Sequence, residues 1–354
     1  LFPAQNTETR CVLPAQSMTK AAAQARLLAW AGIIVLTPDG LTLRVATLRT
    51  ESARSWATLA YRGAGAMVTL TPLELIRRGG IKGMRRDAHV LGGRRILVST
   101  VAYTCVSTGF VVAAMLTRIA NLLIILAAAP LTGAVCARVA LPQEPPLPWR
   151  TWIAASVCGT CVLAIVIESA QSGNRSRLLG DVVALSVPAF LAIHFTNCRA
   201  AEAAISASPS DDADEGASMV VANILSGALS FCVGCVGFAA CAEEPSRALP
   251  TDAAAAVALA AMALIVAPVA FAMLVIAAKH LPPAEVSLIM LFETAVSPVI
   301  VWAAVGEAPS TQTAVVGSVL LLAIVAHSLA TMRADRREQR EKDEKEAAAA
   351  ITLA

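Results

Sequence analysis

Residues 284–332 read AEVSLIMLFETAVSPVIVWAAVGEAPSTQTAVVGSVLLLAIVAHSLATM. Two apolar runs of about 20 residues, each long enough as a helix to cross roughly 30 Å of hydrocarbon, flank the polar break Gly306-Glu307-Ala308-Pro309-Ser310. The pattern predicts a helical hairpin built for lipid. Glu293 falls midway down the first run, where an ionised side chain costs at least ~2.5–3.5 kcal/mol unless it faces a wet cavity or a partner. The rest of the chain is read for repetition of this device.

Composition sets the class. The chain has 354 residues, of which 57% are hydrophobic and 15% charged, with a mean hydropathy of +0.67. Soluble globular domains carry about a quarter charged residues, so this is a polytopic all-α membrane protein. The formal net charge is only +3, and nothing in its distribution points to nucleic acid. The cysteines of the apolar segments read as small packing residues. The pairs Cys158/Cys161 and Cys232/Cys235 have no histidine or basic group nearby that would favour a metal or redox site. No cofactor is expected. No Gly-rich phosphate loop ending in Lys-Ser/Thr is present, which removes support for an intrinsic ATPase. Without a histidine-rich cluster or a nucleophile–base pair, an enzyme is not expected either.

Working outward, ten spans are expected. Residues 1–25 are polar and lack the apolar core of a cleavable signal peptide; the first residue is Leu rather than Met, so the natural start can lie upstream. The first span, about 27–45, is interrupted by Thr37-Pro38-Asp39-Gly40, where proline removes a backbone donor and the helix should break. The second, about 55–76, carries Arg62 and Glu74 and ends in a basic loop, RRGGIKGMRRDAHVLGGRR. Spans follow at about 96–117, 119–141 and 151–168. The polar link ESAQSGNRSR then leads to a sixth span from Leu178, with His194 and Asn197 in it. Beyond the acidic loop SASPSDDADEG come spans at about 218–241 and 253–278, the hairpin, and a charge-alternating tail that reads as a solvated helix. With both termini cytoplasmic, inner segments hold roughly 19 Lys and Arg and outer ones roughly 7, the bias such a topology requires. Asn174-Arg175-Ser176 then lies on the outer face as a candidate glycosylation sequon, a three-residue pattern that chance also supplies.

Two internal comparisons suggest duplication. The hairpins from Ala120 and from Val286 share the order apolar run, bend, apolar run, acidic-proline corner, and the run from Arg26 is similar to the run from Arg177. A half of five spans is odd in number, so its second copy enters the membrane inverted, and inverted repeats place a site at the midplane between them.

The segments LTRIANLLIILAAAPLTGAVCARVALPQE, GDVVALSVPAFLAIHFTNCR and SLIMLFETAVSPVIVWAAVGEAPSTQTAVVGSVLLL resemble the two EamA repeats of the drug/metabolite transporter superfamily, over about 27–332. The resemblance implies an inverted-repeat transporter of ten helices. Arg62, in WATLAYRGAGAMV, stands where the family often has an arginine in helix two. The family's Glu-Pro pair of helix nine is Glu293-Thr294 here, with the proline at Pro298, and the first repeat's Gly-Glu corner is Pro142-Gln143-Glu144. Sugar-phosphate and nucleotide-sugar carriers of the superfamily show paired basic residues in the late helices, where this chain has Lys279-His280.

The expected organisation is a cytoplasmic segment 1–25, a first repeat 26–169, an outer link 170–177, a second repeat 178–332 and a cytoplasmic tail 333–354. Asp39, Arg62, His194, Asn197 and Glu293 are the candidate lining of a substrate cavity, each costly in lipid and cheap beside water or a partner. The plainer readings are an ion pair of Arg62 with one carboxylate, and a packing role for His194, whose ring otherwise suits proton relay. Asn121, Asn223 and His327 are assigned to interhelical hydrogen bonds, and Pro38, Pro188, Pro268 and Pro298 to bends. The expected function is secondary transport of a small organic metabolite, by exchange or proton coupling. A phosphorylated or nucleotide-linked sugar cargo is the alternative within the superfamily, and a non-transporting scaffold or receptor the alternative outside it. The expected partners are the bilayer and the cargo.

Overall fold

The computed structural model describes residues 15–47, 52–140, 149–207, 219–241, 250, 252–277 and 283–353, which form helices and turns with no strand among them. The corner Pro142-Gln143-Glu144 and Lys279-His280 lie outside the described residues. The first part of the chain contains α1 (Ala15–Leu36), α2 (Asp39–Thr47), α3 (Ser52–Arg77), α4 (Ile81–Leu91), α5 (Gly93–Leu116), α6 (Ile119–Leu126), α7 (Ala129–Ala140) and α8 (Trp149–Gln171). The rest contains α9 (Arg175–Ala207), α10 (Val220–Cys241), α11 (Ala253–Ala261), a π-helical stretch Met262–Val266, α12 (Ala267–Ala277), α13 (Pro283–Val305) and α14 (Thr311–Leu353).

Seven stretches among the described residues are both long and apolar enough to cross a bilayer, from Gln24–Ala46 to Ala253–Ala277, and Phe292–Val305 and Thr311–His327 are shorter apolar helices. The protein is therefore an all-α protein of the multi-pass membrane type. Helix α3 is not among the seven, although its 26 residues would span. Its composition is diluted by Arg62 and Glu74, and it instead packs along α10 through glycines.

The interruption predicted at Pro38 is present. Helix α1 stops at Leu36 and α2 restarts at Asp39, with the Thr37 hydroxyl donating to the Ile33 carbonyl at 2.7 Å. Pro188 and Pro298 sit inside helices that run on past them, and Pro268 follows the π stretch. The Thr132 hydroxyl, donating to the Pro188 carbonyl at 3.0 Å, ties α7 to α9 beside that proline.

One expectation is corrected. The basic segment read as a loop contains the helix α4. Gly79, Gly80 and Gly92 take positive φ of 68°, 103° and 80°, so the chain turns sharply at both ends of it. Ala88 and Leu91 of α4 pack into a core cluster with Cys198 and Met219, while Lys82, Arg85 and Arg86 lie exposed. The two carboxylates here turn inward: Asp87 pairs with Arg78 and Glu74 with Arg77.

Polar staples fix the opposite end of the bundle. Glu307, in the corner between α13 and α14, pairs with Arg44 of α2 at 2.5 Å and accepts from the Ile119 backbone N–H at 3.2 Å. A carboxylate at the start of α6 satisfies one of that helix's open donors and suits its dipole. Buried Asp181 of α9 accepts hydrogen bonds from Thr117 and Ser169. Asp181→Ala should lower stability by about 1–3 kcal/mol, because two hydroxyl donors then lose their acceptor in a buried setting. Asp181→Asn, which keeps an acceptor oxygen, should cost less; thermal unfolding of the purified protein in detergent checks the order.

Asn174, the candidate glycosylation site, is exposed and caps α9: its side-chain oxygen accepts from the Ser176 and Arg177 amides at 3.1 and 3.2 Å. Among the cysteines, Cys158 and Cys161 are buried as packing residues, whereas Cys232 and Cys235 are exposed on α10, so the packing role expected of them holds for the first pair only.

Candidate functional site

The helix break delivers Asp39 to the first turn of α2, pointing at the middle of α3. There the Arg62 guanidinium donates to both carboxylate oxygens of Asp39, at 2.8 and 3.0 Å. The pair is buried, with side chains 8% and 3% exposed, and Arg62 also stands 5.6 Å from the centre of the Phe110 ring, a cation–π distance. Helix α13 brings Glu293, 4% exposed, to the same cavity. One turn further along α13, buried Ser297 presses on α2, so closely that a Cβ on Gly40 would meet its oxygen at 2.8 Å.

Two small cavities meet at Arg62, Tyr103, Ser107 and Phe271. The acidic one is lined by Asp39, Arg62 and Glu293 together with Met290 and the Leu191 side chain. The second lies between α3, α5, α10 and α12 and takes Asn223, Ser226 and Ser230 from one face of α10. Each has a volume of about 30 Å³, enough for one or two waters.

Three of the five predicted residues, Asp39, Arg62 and Glu293, therefore share one cavity. His194 stands a layer behind: fully buried, it stacks on Tyr103 with ring centres 5.1 Å apart and planes at 28°, and its Nε2 is 4.0 Å from the Cys198 sulfur. Tyr103 in turn meets Phe271 edge to face at 5.1 Å, so it forms the wall between His194 and both cavities. Asn197 is apart from the group. Its amide donates to the Arg95 carbonyl at 2.7 Å and to the Ser99 hydroxyl at 2.8 Å, locking α9 to α5.

No family model matches the chain, and no curated protein does. A crystal structure described only as that of a protein is similar to it, with a TM-score of 0.57 at 15% identity over 86% of this chain and 97% of that one. At that identity the likeness shows a shared fold and nothing of function. Because nearly all of the other chain is covered, the shared fold is the whole bundle rather than one hairpin.

The assignment of Asn223 as an interhelical hydrogen bonder is corrected. Neither of its amide atoms has a partner, whereas Asn121 behaves as expected and accepts from Thr313 at 3.0 Å. Tyr103, Ser107 and the α10 hydroxyls also went unread as site residues. The signal for the last was present: Asn223, Ser226 and Ser230 are spaced three and four apart, one face of an otherwise apolar span. Tyr103 gave none, since an aromatic residue in a span reads as packing. Among the described residues no group of three or more His, Cys, Asp or Glu side chains is placed to hold a metal ion.

Proposed function

We propose that the protein is a secondary transporter of a small organic metabolite, working by alternating access between two inverted five-helix repeats and driven by exchange or by protons. The observation that carries this reading is the charge count at the buried centre. Two carboxylates, Asp39 and Glu293, share a cavity with a single cation, Arg62, which already holds Asp39. A buried carboxylate without a counter-charge is costly in a membrane, so Glu293 calls for a transient positive partner, either a proton or a cationic group on the cargo. A group that must exchange its partner with water to stay at low energy is what a coupled carrier needs at its midplane.

The packing pattern supports the repeat. With α1–α2, α3, α5, α6–α7 and α8 counted as spans one to five and the later helices as six to ten, exchanging each span for the one five places on maps the main contacts onto one another. Helix α1 against α12 becomes α9 against α5, and α7 against α9 becomes α13 against α2. The pairs α3 with α10 and α8 with α14 map onto themselves, as they would about a pseudo-two-fold axis in the membrane plane. Both cavities take side chains from helices of each half.

Flux into proteoliposomes, for a broad metabolite panel under imposed pH and counter-substrate gradients, tests the reading. Glu293→Gln should reduce flux at least tenfold while the purified protein still folds, because the amide keeps the shape and loses the exchangeable charge. Unchanged kinetics would remove Glu293 from the site, and no flux of any panel member would sink the proposal. The single, already engaged arginine favours a neutral or cationic cargo over a phosphorylated sugar. A scaffold role draws on one observation, the continuation of α14 as a helix of 43 residues far past its apolar part. Transport that survives removal of 333–354, together with a partner lost on the same deletion, would assign that role to the tail alone.

A further inference from the structure

The second cavity has unused binding capacity that the charge cluster does not explain. Asn223 is 1% exposed and has no hydrogen-bond partner for either Nδ2 or Oδ1; the Ser230 hydroxyl, 2% exposed, has none either. Both residues line the cavity. Elsewhere among the described residues, buried Asn121 pairs with Thr313 and half-buried Asn197 with Arg95 and Ser99. The neighbouring Ser226 oxygen is engaged as well, accepting from the Thr104 hydroxyl at 3.0 Å. A buried polar group left unpaired is costly, and here two side chains, two helical turns apart on one face of α10, line the same space without a protein partner.

The scaffold holds those two side chains in place. Gly227 lies between them, four residues after Asn223 and three before Ser230. Its backbone is pressed against α3: a Cβ on Gly63 would stand 2.4 Å from the Gly227 carbonyl oxygen, and one on Gly227 would stand 2.9 Å from that of Gly63. Close glycine contacts of this kind fix two membrane helices against each other. Asn223 and Ser230 therefore line the cavity from a rigid backbone pair, and Tyr103 and Phe271, in edge-to-face contact, line it too.

We propose that this cavity is a hydrogen-bonding subsite for the amide edge of the cargo, a flat group presenting an N–H donor beside a C=O acceptor, as lactams, ureides and pyrimidine-type bases do. The proposal rests on the transport reading of the same central region and adds the chemical class of the cargo. A primary carboxamide meets such an edge with two parallel hydrogen bonds, its N–H₂ to the ligand carbonyl and its C=O to the ligand N–H. The Ser230 hydroxyl supplies a third contact, and an aromatic face covers the flat group. In the form described the space takes one or two waters, so it must widen to admit the cargo.

Thermal unfolding of the full chain in lipid nanodiscs tests this with uracil and 2-piperidone as amide-edge probes and cyclohexanone as a ring that keeps only the acceptor. A ligand that binds the native state must raise its apparent stability, and sites built for hydrogen bonding reject analogues that leave their groups unpaired. Uracil or 2-piperidone should raise the midpoint while cyclohexanone does not. Asn223→Ala should abolish the shift and Asn223→Asp, which lacks the donor, should weaken binding at least tenfold; Ser230→Ala should weaken it severalfold and serves should either Asn223 variant fail to fold. Stabilisation of the wild type by neither amide probe, or equal stabilisation of wild type, Asn223→Asp and Ser230→Ala, overturns the proposal. Failure of this subsite is distinguishable from failure of the transport reading, because flux of another metabolite that depends on Glu293 but not on Asn223 leaves transport standing, whereas amide binding without any flux leaves only the subsite.

Discussion

Arg62→Ala is expected to be the most damaging single change at the centre, lowering stability by about 3–5 kcal/mol or preventing recovery of folded protein. Removing one partner of a buried ion pair leaves the other charge uncompensated, and that cost exceeds the net worth of the pair itself. Here Asp39, which Arg62 holds through both oxygens, would be left unpaired in a cavity that already carries a second carboxylate, Glu293. Asp39→Asn should be milder. It leaves Arg62 with Glu293 as an alternative counter-charge in that cavity and with the Phe110 ring beside it. The pair Asp39→Asn with Arg62→Gln should recover part of what Arg62→Ala loses, because no uncompensated Asp39 carboxylate remains. A double-mutant cycle on detergent unfolding midpoints checks this. Equal losses for Asp39→Asn and Arg62→Ala would mean that Glu293 does not take over the guanidinium when Asp39 is neutral.

Gly65→Val is the second large effect expected. A Cβ at Gly65 would lie 2.1 Å from the Ala263 carbonyl oxygen and 2.5 Å from its carbon, so α3 and the π stretch meet backbone to backbone. Real Cβ contacts never come this close, and backbone cannot turn aside as a side-chain tip can. The helices must separate, and the cavity wall built on them moves with them. Gly133→Val and Gly159→Val are the controls. A Cβ at either position meets nothing within 4 Å, so the same substitution should leave monodispersity in size-exclusion chromatography unchanged there and abolish it at Gly65.

Much of this bundle was legible in the sequence because lipid makes errors expensive. A span must be long, apolar and helical, so the hairpin around Gly306 and the break at Pro38 could be read directly. Charges in such spans are too costly to be incidental, which is why Asp39, Arg62 and Glu293 could be picked before any geometry was known. Neutral polar groups carry no such signal. Asn223 and Asn197 look alike as letters, and only packing reveals that one is paired and the other is not. Helix α4 was hidden for a different reason: the glycines around it and its dense positive charge imitate a loop, while the short apolar edge that makes it a helix gains meaning only against α9 and α10.

The π stretch Met262–Val266 bears on how relatives of this chain are to be recognised. A π turn arises where one extra residue has been accommodated without disturbing the helix on either side. Residues before Met262 and after Val266 therefore belong to two α-helical frames offset by one position, about 100° apart around the axis. An alignment without a gap at 262–266 would set Pro268 and Phe271 against the wrong columns in any relative with a plain α-helix there. Deleting one residue within 262–266 is the change this span should tolerate, whereas a deletion at 267–270 would rotate Phe271 off Tyr103.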